Sequence, residues 1–292
     1  MNKIELSVDA TYTCPFSCSF CSNENLHALP NMEYATAMQC RSFLSGILEV
    51  YDLPCEIAIA GGEPIADVNL EHIIGVFSQL EDCTITICTT GALSKSKDYW
   101  IGLKNSGLSR VRLSLHSMDD QICKRLFGNR YKLSVVLKSI ENILASNIGI
   151  DINFLVTAIN VDCLSDVCKL MQDYNLNGIR ILGLSKQGNA ARNWDTLKID
   201  ISESDLLNMK QICADYNVNP VFSGIGNINS CTHADQNGNC TGGRTFFHIN
   251  TNGDVFGCPA SKSIKTHRIG NIYSNLTQGD GSHVLANCPV AV

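Results

Sequence analysis

Three cysteines, Cys14, Cys18 and Cys21, stand in the run Cys14-Pro15-Phe16-Ser17-Cys18-Ser19-Phe20-Cys21. Thiolates are the soft ligands that iron–sulfur clusters and zinc take, and a cuboidal [4Fe–4S] cluster wants four of them. The run supplies three. One iron would then stay open to a substrate or cofactor, which is what separates a reactive metal site from a closed structural one. Structural zinc usually pairs two C-x2-C knuckles, and Cys18 and Cys21 have no second knuckle nearby in the sequence. On this run alone, zinc and a chance spacing in a cysteine-rich chain are the alternatives.

The chain around the run has 292 residues, 45% of them apolar and 17% charged. That composition predicts a soluble globular protein of one large or two modest domains. A net charge of −6 without a long basic run argues against nucleic acid or a membrane surface as the partner. The first residues lack a basic segment followed by an apolar one, so export is not expected. Fifteen cysteines is an odd count that suits a disulfide framework poorly and a reducing cytoplasm well. Cys40, Cys55, Cys83, Cys88, Cys123, Cys163, Cys168 and Cys213 fall in apolar-periodic segments and read as small buried hydrophobes.

Positioning the cysteine run requires a scaffold, and its period is visible. Strand-like segments recur at Ile4–Val8, Glu56–Ala60, Thr84–Cys88, Val111–Leu115, Ile150–Val156 and Ile179–Leu184. Helical stripes lie between them, such as Leu70, Ile73, Ile74 and Phe77, or Leu133, Val136, Leu137, Ile140 and Leu144, or Leu164, Val167, Cys168 and Met171. A further helix is expected over Asp205–Tyr216. Repeated strand–helix units demand a parallel sheet. Six are too few for a closed eight-stranded barrel, so the expected fold class is α/β, a partial (β/α)6 TIM-like barrel. Ligands gather at the carboxyl ends of such strands. The cysteine run, Gly61-Gly62-Glu63-Pro64, Thr89-Thr90-Gly91 and His116-Ser117 each follow a strand end and so meet on one face. The expected division is a core over 1–216 and a small, Cys-rich α+β region over 217–292, with a hairpin turning at Asn252-Gly253.

With C-x3-C-x-aromatic-C after the first strand and G-G-E-P after the second, the sequence resembles the radical S-adenosylmethionine superfamily. That resemblance implies that Cys14, Cys18 and Cys21 ligate a [4Fe–4S] cluster, and that the amino and carboxylate groups of S-adenosylmethionine chelate its open iron. It sets Phe20 beside the adenine. Gly61 and Gly62 would let backbone approach the cofactor, with Pro64 closing the motif, while Glu63 and backbone carbonyls accept from the cofactor's amino group. Ser114 matches the fourth-strand serine that contacts the cofactor, Arg125 or Arg130 would pair with its carboxylate, and Asn153 would reach the ribose. Thr89, Thr90 and Gly91 resemble the family's third-strand T-x-G, and His116 reads as a structural histidine.

Cys240-x12-Gly253-x4-Cys258, followed by Gly270-Asn271-Ile272 and Leu276, resembles the opening half of a SPASM or Twitch domain, with Cys231 and Cys288 as further ligands. The later cysteine block of a full SPASM domain is missing, so one auxiliary iron–sulfur cluster is implied; a four-cysteine zinc site is the alternative. Family members of this kind generate a 5′-deoxyadenosyl radical that abstracts hydrogen. The expected activity is oxidation, crosslinking or epimerisation of a ribosomally made peptide. The alternatives are a small-molecule dehydrogenase or cyclase acting on a sugar or nucleotide, like the branch that rearranges GTP in molybdenum-cofactor synthesis, and a noncatalytic electron carrier or zinc scaffold. Expected partners are a flavodoxin- or ferredoxin-type electron donor and the peptide or small-molecule substrate. Only 13 residues precede Cys14, so a peptide substrate would need direct docking or a separate leader-peptide-binding protein.

Overall fold

The computed structural model describes residues 3–23, 26, 29–176, 178–225, 240–262 and 264–274. Six strands, β1 (Ile4–Thr11), β2 (Cys55–Gly61), β3 (Cys83–Thr89), β4 (Arg110–Ser114), β5 (Gly149–Leu155) and β6 (Gly178–Leu182), pair in sequence order, all parallel. The crossovers carry α1 (Tyr34–Tyr51), α2 (Leu70–Phe77), α3 (Lys97–Asn105), α4 (Asp120–Phe127), α5 (Leu133–Ala145) and α6 (Leu164–Asp173). Beyond β6 come α7 (Gly188–Arg192), α8 (Trp194–Leu197) and α9 (Glu203–Asp215). They lead to a seventh parallel strand, β7 (Pro220–Ser223), which the periodicity does not announce because it has four residues and opens on proline. At the other edge β8 (Phe246–Ile249) runs parallel to β1, and β9 (Asp254–Phe256) and β10 (Arg268–Asn271) continue antiparallel. The single open sheet has the order β10-β9-β8-β1-β2-β3-β4-β5-β6-β7.

One local device returns the chain to the sheet each time. Asp52, Asp82, Asn147, Asn175 and Asn217 all have positive φ, and each stands just before a strand. Asn and Asp tolerate the left-handed region better than other residues with a Cβ. Helix starts are marked as well. Ser96 accepts from Tyr99 N (3.2 Å), Asp119 from Gln121 N (2.7 Å), and Ser202 forms a capping box with Asp205 that starts α9 two residues before the apolar stripe suggests. Helix α1 has a faint pattern because its buried stripe is Thr36, Ala37, Cys40 and Leu44, small residues apart from the last.

The two faces of the sheet differ. Ile57, Ile59, Ile87, Val111, Leu113, Ile150, Ile152 and Ile181 are fully buried on the helix side, in one cluster with Leu44, Phe77, Trp100, Ile140 and Val167. Alternate positions, including Glu5, Glu56, Ala58, Ser114, Asp151, Asn153 and Arg180, are half-buried on the inner face. That face is charged and paired. Arg112 and Lys3 both donate to Glu56, and Arg110 meets Asp151 at 2.8 Å. Burial by itself would raise the Glu56 pKa, but Arg112 and Lys3 more than reverse this and hold it at about 2.

Because the folded value lies below the ordinary 4.5, Glu56 contributes stability that is complete above pH 4.5 and is lost as pH falls through about 2. Arg112→Met should flatten that acid limb in urea titrations run from pH 6 to pH 2. It should also cost about 3 kcal/mol at pH 7, because Glu56 then stays buried with half its partners removed.

Candidate active site at the carboxyl ends of the strands

The cysteine loop leaves β1 at Thr11 and is clamped at once by the end of β2. Gly62 N donates to Thr11 O (2.6 Å) and Glu63 N to Thr13 O (3.0 Å). A Cβ on Gly61, whose φ is +120°, would collide with the Thr11 carbonyl oxygen, and one on Gly62 would stand 2.5 Å from Thr13 O. The glycines are therefore required by the cysteine loop itself, which lies directly on them. The Glu63 side chain turns away from the loop. It is fully buried and accepts from Thr90 N (2.9 Å), Thr90 Oγ1 (2.5 Å), Ile65 N (3.4 Å) and Thr89 Oγ1. Burial pushes its pKa up and these donors pull it back. Its carboxylate thus ties β2 to β3, whereas the sequence reading gave it to a cofactor amino group.

Two more elements hold the loop. Ser19 N donates to Leu126 O (2.8 Å) and Ser17 N to Phe127 O (3.3 Å) at the end of α4. From α7, Asn189 N donates to Cys21 O (2.8 Å) and Asn189 Nδ2 to Cys18 O (3.0 Å), and Asn193 Nδ2 donates to Ser19 O (3.0 Å). Phe20 sits edge-on to His116 (5.1 Å) and Phe127 (5.3 Å), and Phe127 stacks on Tyr131 at 4.2 Å. His116 is buried, its Nδ1 accepts from Leu155 N (3.2 Å), and burial pushes its pKa down to about 4. It is a neutral structural histidine.

Burial raises all three thiols, Cys14 to about 11, and charge on Cys14 or Cys21 raises Cys18 further. Only a bound cation would hold them as thiolates at neutral pH. The backbone is already arranged for sulfur: Phe16 N–H supports Cys14, and Asn23 N reaches Cys21 Sγ at 3.4 Å. The same bond from two residues ahead recurs in the C-terminal part, with Gly242 N on Cys240 (3.3 Å) and Ala260 N on Cys258 (3.4 Å). Other cysteines meet different partners. Cys168 Sγ lies 3.9 Å from Cys213 Sγ, and the Cys123 thiol donates to Ser117 O. N–H···S bonds are among the interactions that tune iron–sulfur clusters, so the donor set fits one. Among the described residues no three His, Cys, Asp or Glu side chains are gathered as a single metal ion needs.

Ser114 and Asn153 are paired across β4 and β5 at the same end of the sheet, and Asn153 Oδ1 is buried without a hydrogen-bond partner. Pro64 is buried and opens a short 3-10 turn. Arg125 and Arg130 are exposed. The buried face of α4 is Cys123, Leu126 and Phe127, which turns Arg125 to solvent and leaves its expected carboxylate contact without support. Gly253 (φ +84°) makes the hairpin turn between β8 and β9. Cys231, Cys288 and Leu276 lie outside the described residues.

One constellation was not legible in the sequence. Asp9, fully buried on β1, accepts from Tyr12 Oη (2.6 Å) and Lys262 Nζ (2.8 Å), with His248 Nε2 at 3.3 Å. It fastens the segment after Cys258 to the strand that launches the cysteine loop. An acid at an inward strand position was the available signal, and nothing local pointed to Lys262, 253 residues away.

A parallel sheet with a three-cysteine loop clamped at the carboxyl end of its first strand defines a metal-cluster enzyme. The chain matches the Radical SAM superfamily model over residues 8–173, more than half its length, and belongs to that superfamily. Membership implies a [4Fe–4S] cluster and S-adenosylmethionine. GTP 3',8-cyclase of Staphylococcus saprophyticus subsp. saprophyticus is 26% identical over 226 residues, 74% of this chain and 63% of the relative. The chain thus spans less than two thirds of that relative. In structure it resembles Streptococcus suis SuiB bound to the precursor peptide SuiA (TM-score 0.73, 17% identity, 99% of this chain and 66% of the other). It also resembles anSMEcpe with bound AdoMet and Cp18Cys peptide (0.69, 16%, 98% and 81%). At these identities the likeness shows the fold. Among the described residues no helix is long and apolar enough to cross a membrane.

Gly62→Ala should destabilise the protein by about 2 kcal/mol through the forced shift of the loop. It should also lower iron and sulfide uptake several-fold in anaerobic reconstitution, while Gly75→Ala, which meets nothing within 4 Å, should change neither.

Proposed function

We propose that this radical S-adenosylmethionine enzyme oxidises, crosslinks or epimerises a ribosomally made peptide in the cytoplasm, a reducing compartment that suits its many free thiols. The observation that carries the peptide reading is the charge on the inner face. Arg112 is committed to Glu56, Arg110 to Asp151, Lys3 to Glu56 and Glu5, and Lys262 to Asp9. A nucleoside triphosphate needs several uncommitted cations, and this face offers few. The peptide complexes of SuiB and anSMEcpe support the same reading. A small-molecule cyclase is the second reading, favoured by the 26% identity to GTP 3',8-cyclase.

In this reading Cys14, Cys18 and Cys21 hold the cluster. Gly61 and Gly62 fix their loop, Phe20 lines the adenine site, and Ser114 and Asn153 offer polar groups to the cofactor. When bound, cluster and S-adenosylmethionine supply a 5′-deoxyadenosyl radical that takes hydrogen from the substrate. The chain's own part is to orient the substrate on the inner face and keep water out, and the Asp9–Lys262 contact that draws the segment after Cys258 over β1 serves that purpose. The catalytic core takes in 1–216 and, beyond the boundary expected from the sequence, β7, and the auxiliary domain follows it. There Cys240 and Cys258, with Cys231 and Cys288, would hold one auxiliary iron–sulfur cluster, which would supply an electron acceptor. A flavodoxin or ferredoxin supplies electrons, and a separate protein presents the peptide leader.

Reconstituted anaerobically and given dithionite, the protein should release 5′-deoxyadenosine, and Cys18→Ala should release none. Peptides encoded beside the gene should change mass, whereas turnover of GTP with every such peptide unchanged overturns the peptide reading. Cys240→Ala and Cys258→Ala should each lower the iron content and stop peptide modification, yet keep deoxyadenosine release. Unchanged iron content in both would remove the auxiliary cluster.

A further inference from the structure

Arg180 stands in the middle of β6, directly beside Asn153 of β5, and it differs from every other cation on the inner face. Arg112, Arg110 and Lys3 each hold a carboxylate. Among the described residues Arg180 makes no hydrogen bond and no ion pair. Glu5 and Glu56 act on it from beyond salt-bridge distance, and burial together with the Arg112 charge presses its pKa down. A guanidinium does not shed its proton in a protein, so this charge persists on the half-buried inner face until an anion meets it. A partly desolvated charge without a partner is less favourable than in water, and an anion that pairs with it recovers that cost.

The surroundings limit what that ligand is. Arg112 Nε, two strands away on β4, is buried without a hydrogen-bond partner. Asn153 has an unpartnered amide oxygen and can turn its amide to present the nitrogen. Lys3, Arg110, Arg112 and Arg180 stand against Glu5, Glu56 and Asp151, four cations and three carboxylates, which leaves one positive charge over. One excess charge on a planar, forked donor suits one carboxylate.

We propose that Arg180, with Arg112 Nε, forms a subsite on the inner face that binds a single carboxylate of the substrate, either an Asp or Glu side chain or a peptide C-terminus. That the carboxylate belongs to a peptide rests on the function proposed above; the subsite does not.

The test uses the full chain, and N-acetylglutamate and its amide N-acetylglutamine as probes. N-acetylglutamate should raise the melting temperature of the wild type and N-acetylglutamine should not. Arg180→Met should weaken N-acetylglutamate binding at least about tenfold. Arg180→Lys, which keeps the charge and loses the fork, should bind several-fold more weakly than the wild type and provides the comparison if the Met variant folds poorly. A wild type that does not distinguish the two probes overturns the proposal, as does an Arg180→Met or Arg180→Lys protein that binds N-acetylglutamate as tightly as the wild type. Loss of acid binding in the variants, combined with no change in any peptide, leaves the subsite standing and the peptide reading refuted.

Discussion

The site depends on one backbone contact. The cysteine loop and the end of β2 touch main chain to main chain, with Gly62 N on Thr11 O and Glu63 N on Thr13 O, at a distance that allows neither glycine a Cβ. Everything else at the carboxyl end of the sheet extends this grip. Glu63 carries it sideways to β3 through Thr89 and Thr90, and α4 and α7 meet the loop from the other side. Phe16 and Phe20 pack the loop against Tyr131, His116 and Phe127. Backbone hydrogen bonds from three directions order it before a cluster arrives, so binding need not supply that ordering.

The same economy explains the two faces of the sheet. Toward the helices the strands are a continuous isoleucine-rich layer, which supplies most of the hydrophobic stabilisation. With that side sufficient for folding, the inner face is free to be polar. Its charges are mostly neutralised in pairs, as buried charges must be. Lys262, from a distant segment, neutralises Asp9 in the same way. The C-terminal hairpin therefore joins the core both by a strand, β8 on β1, and by an ion pair, so the second cysteine-bearing region is registered against the first cysteine loop.

The layout of six strands, their alternation with helices and the meeting of four motifs at one end were legible because each rests on a period or a motif within one segment. Asp52, Asp82, Asn147, Asn175 and Asn217 show how local that code is, one turn residue before each of β2, β3, β5, β6 and β7. What escaped detection depends on contacts across the chain. Helix α1 hides behind small residues, β7 is too short for a period, and the Asp9–Lys262 pair joins the first strand to a late loop. Gly61 and Gly62 were read as letting backbone approach a cofactor, and the sequence did not show that their missing Cβ positions face the Thr11 and Thr13 carbonyls. Sequence motifs name the residues of a site more readily than they say which atoms those residues face.

Cysteine illustrates that limit. Fifteen are present, and composition cannot sort ligand from filler. Local backbone can. At Cys14, Cys21, Cys240 and Cys258 the amide two residues ahead turns back onto the sulfur, a geometry that lowers the cost of a thiolate. At Cys123 and Cys168 the sulfur instead meets a carbonyl or another thiol within packed helices, surroundings that favour the neutral form. Residue type is identical in both groups. The difference lies in whether the chain bends at the cysteine, and bends occur in loops, at Cys14–Cys21 and around Cys240 and Cys258, where a regular helix cannot spare its amides. A thiol on a helix has its own and its neighbours' N–H groups already engaged along the axis, so sulfurs that accept from main-chain amides collect where secondary structure stops.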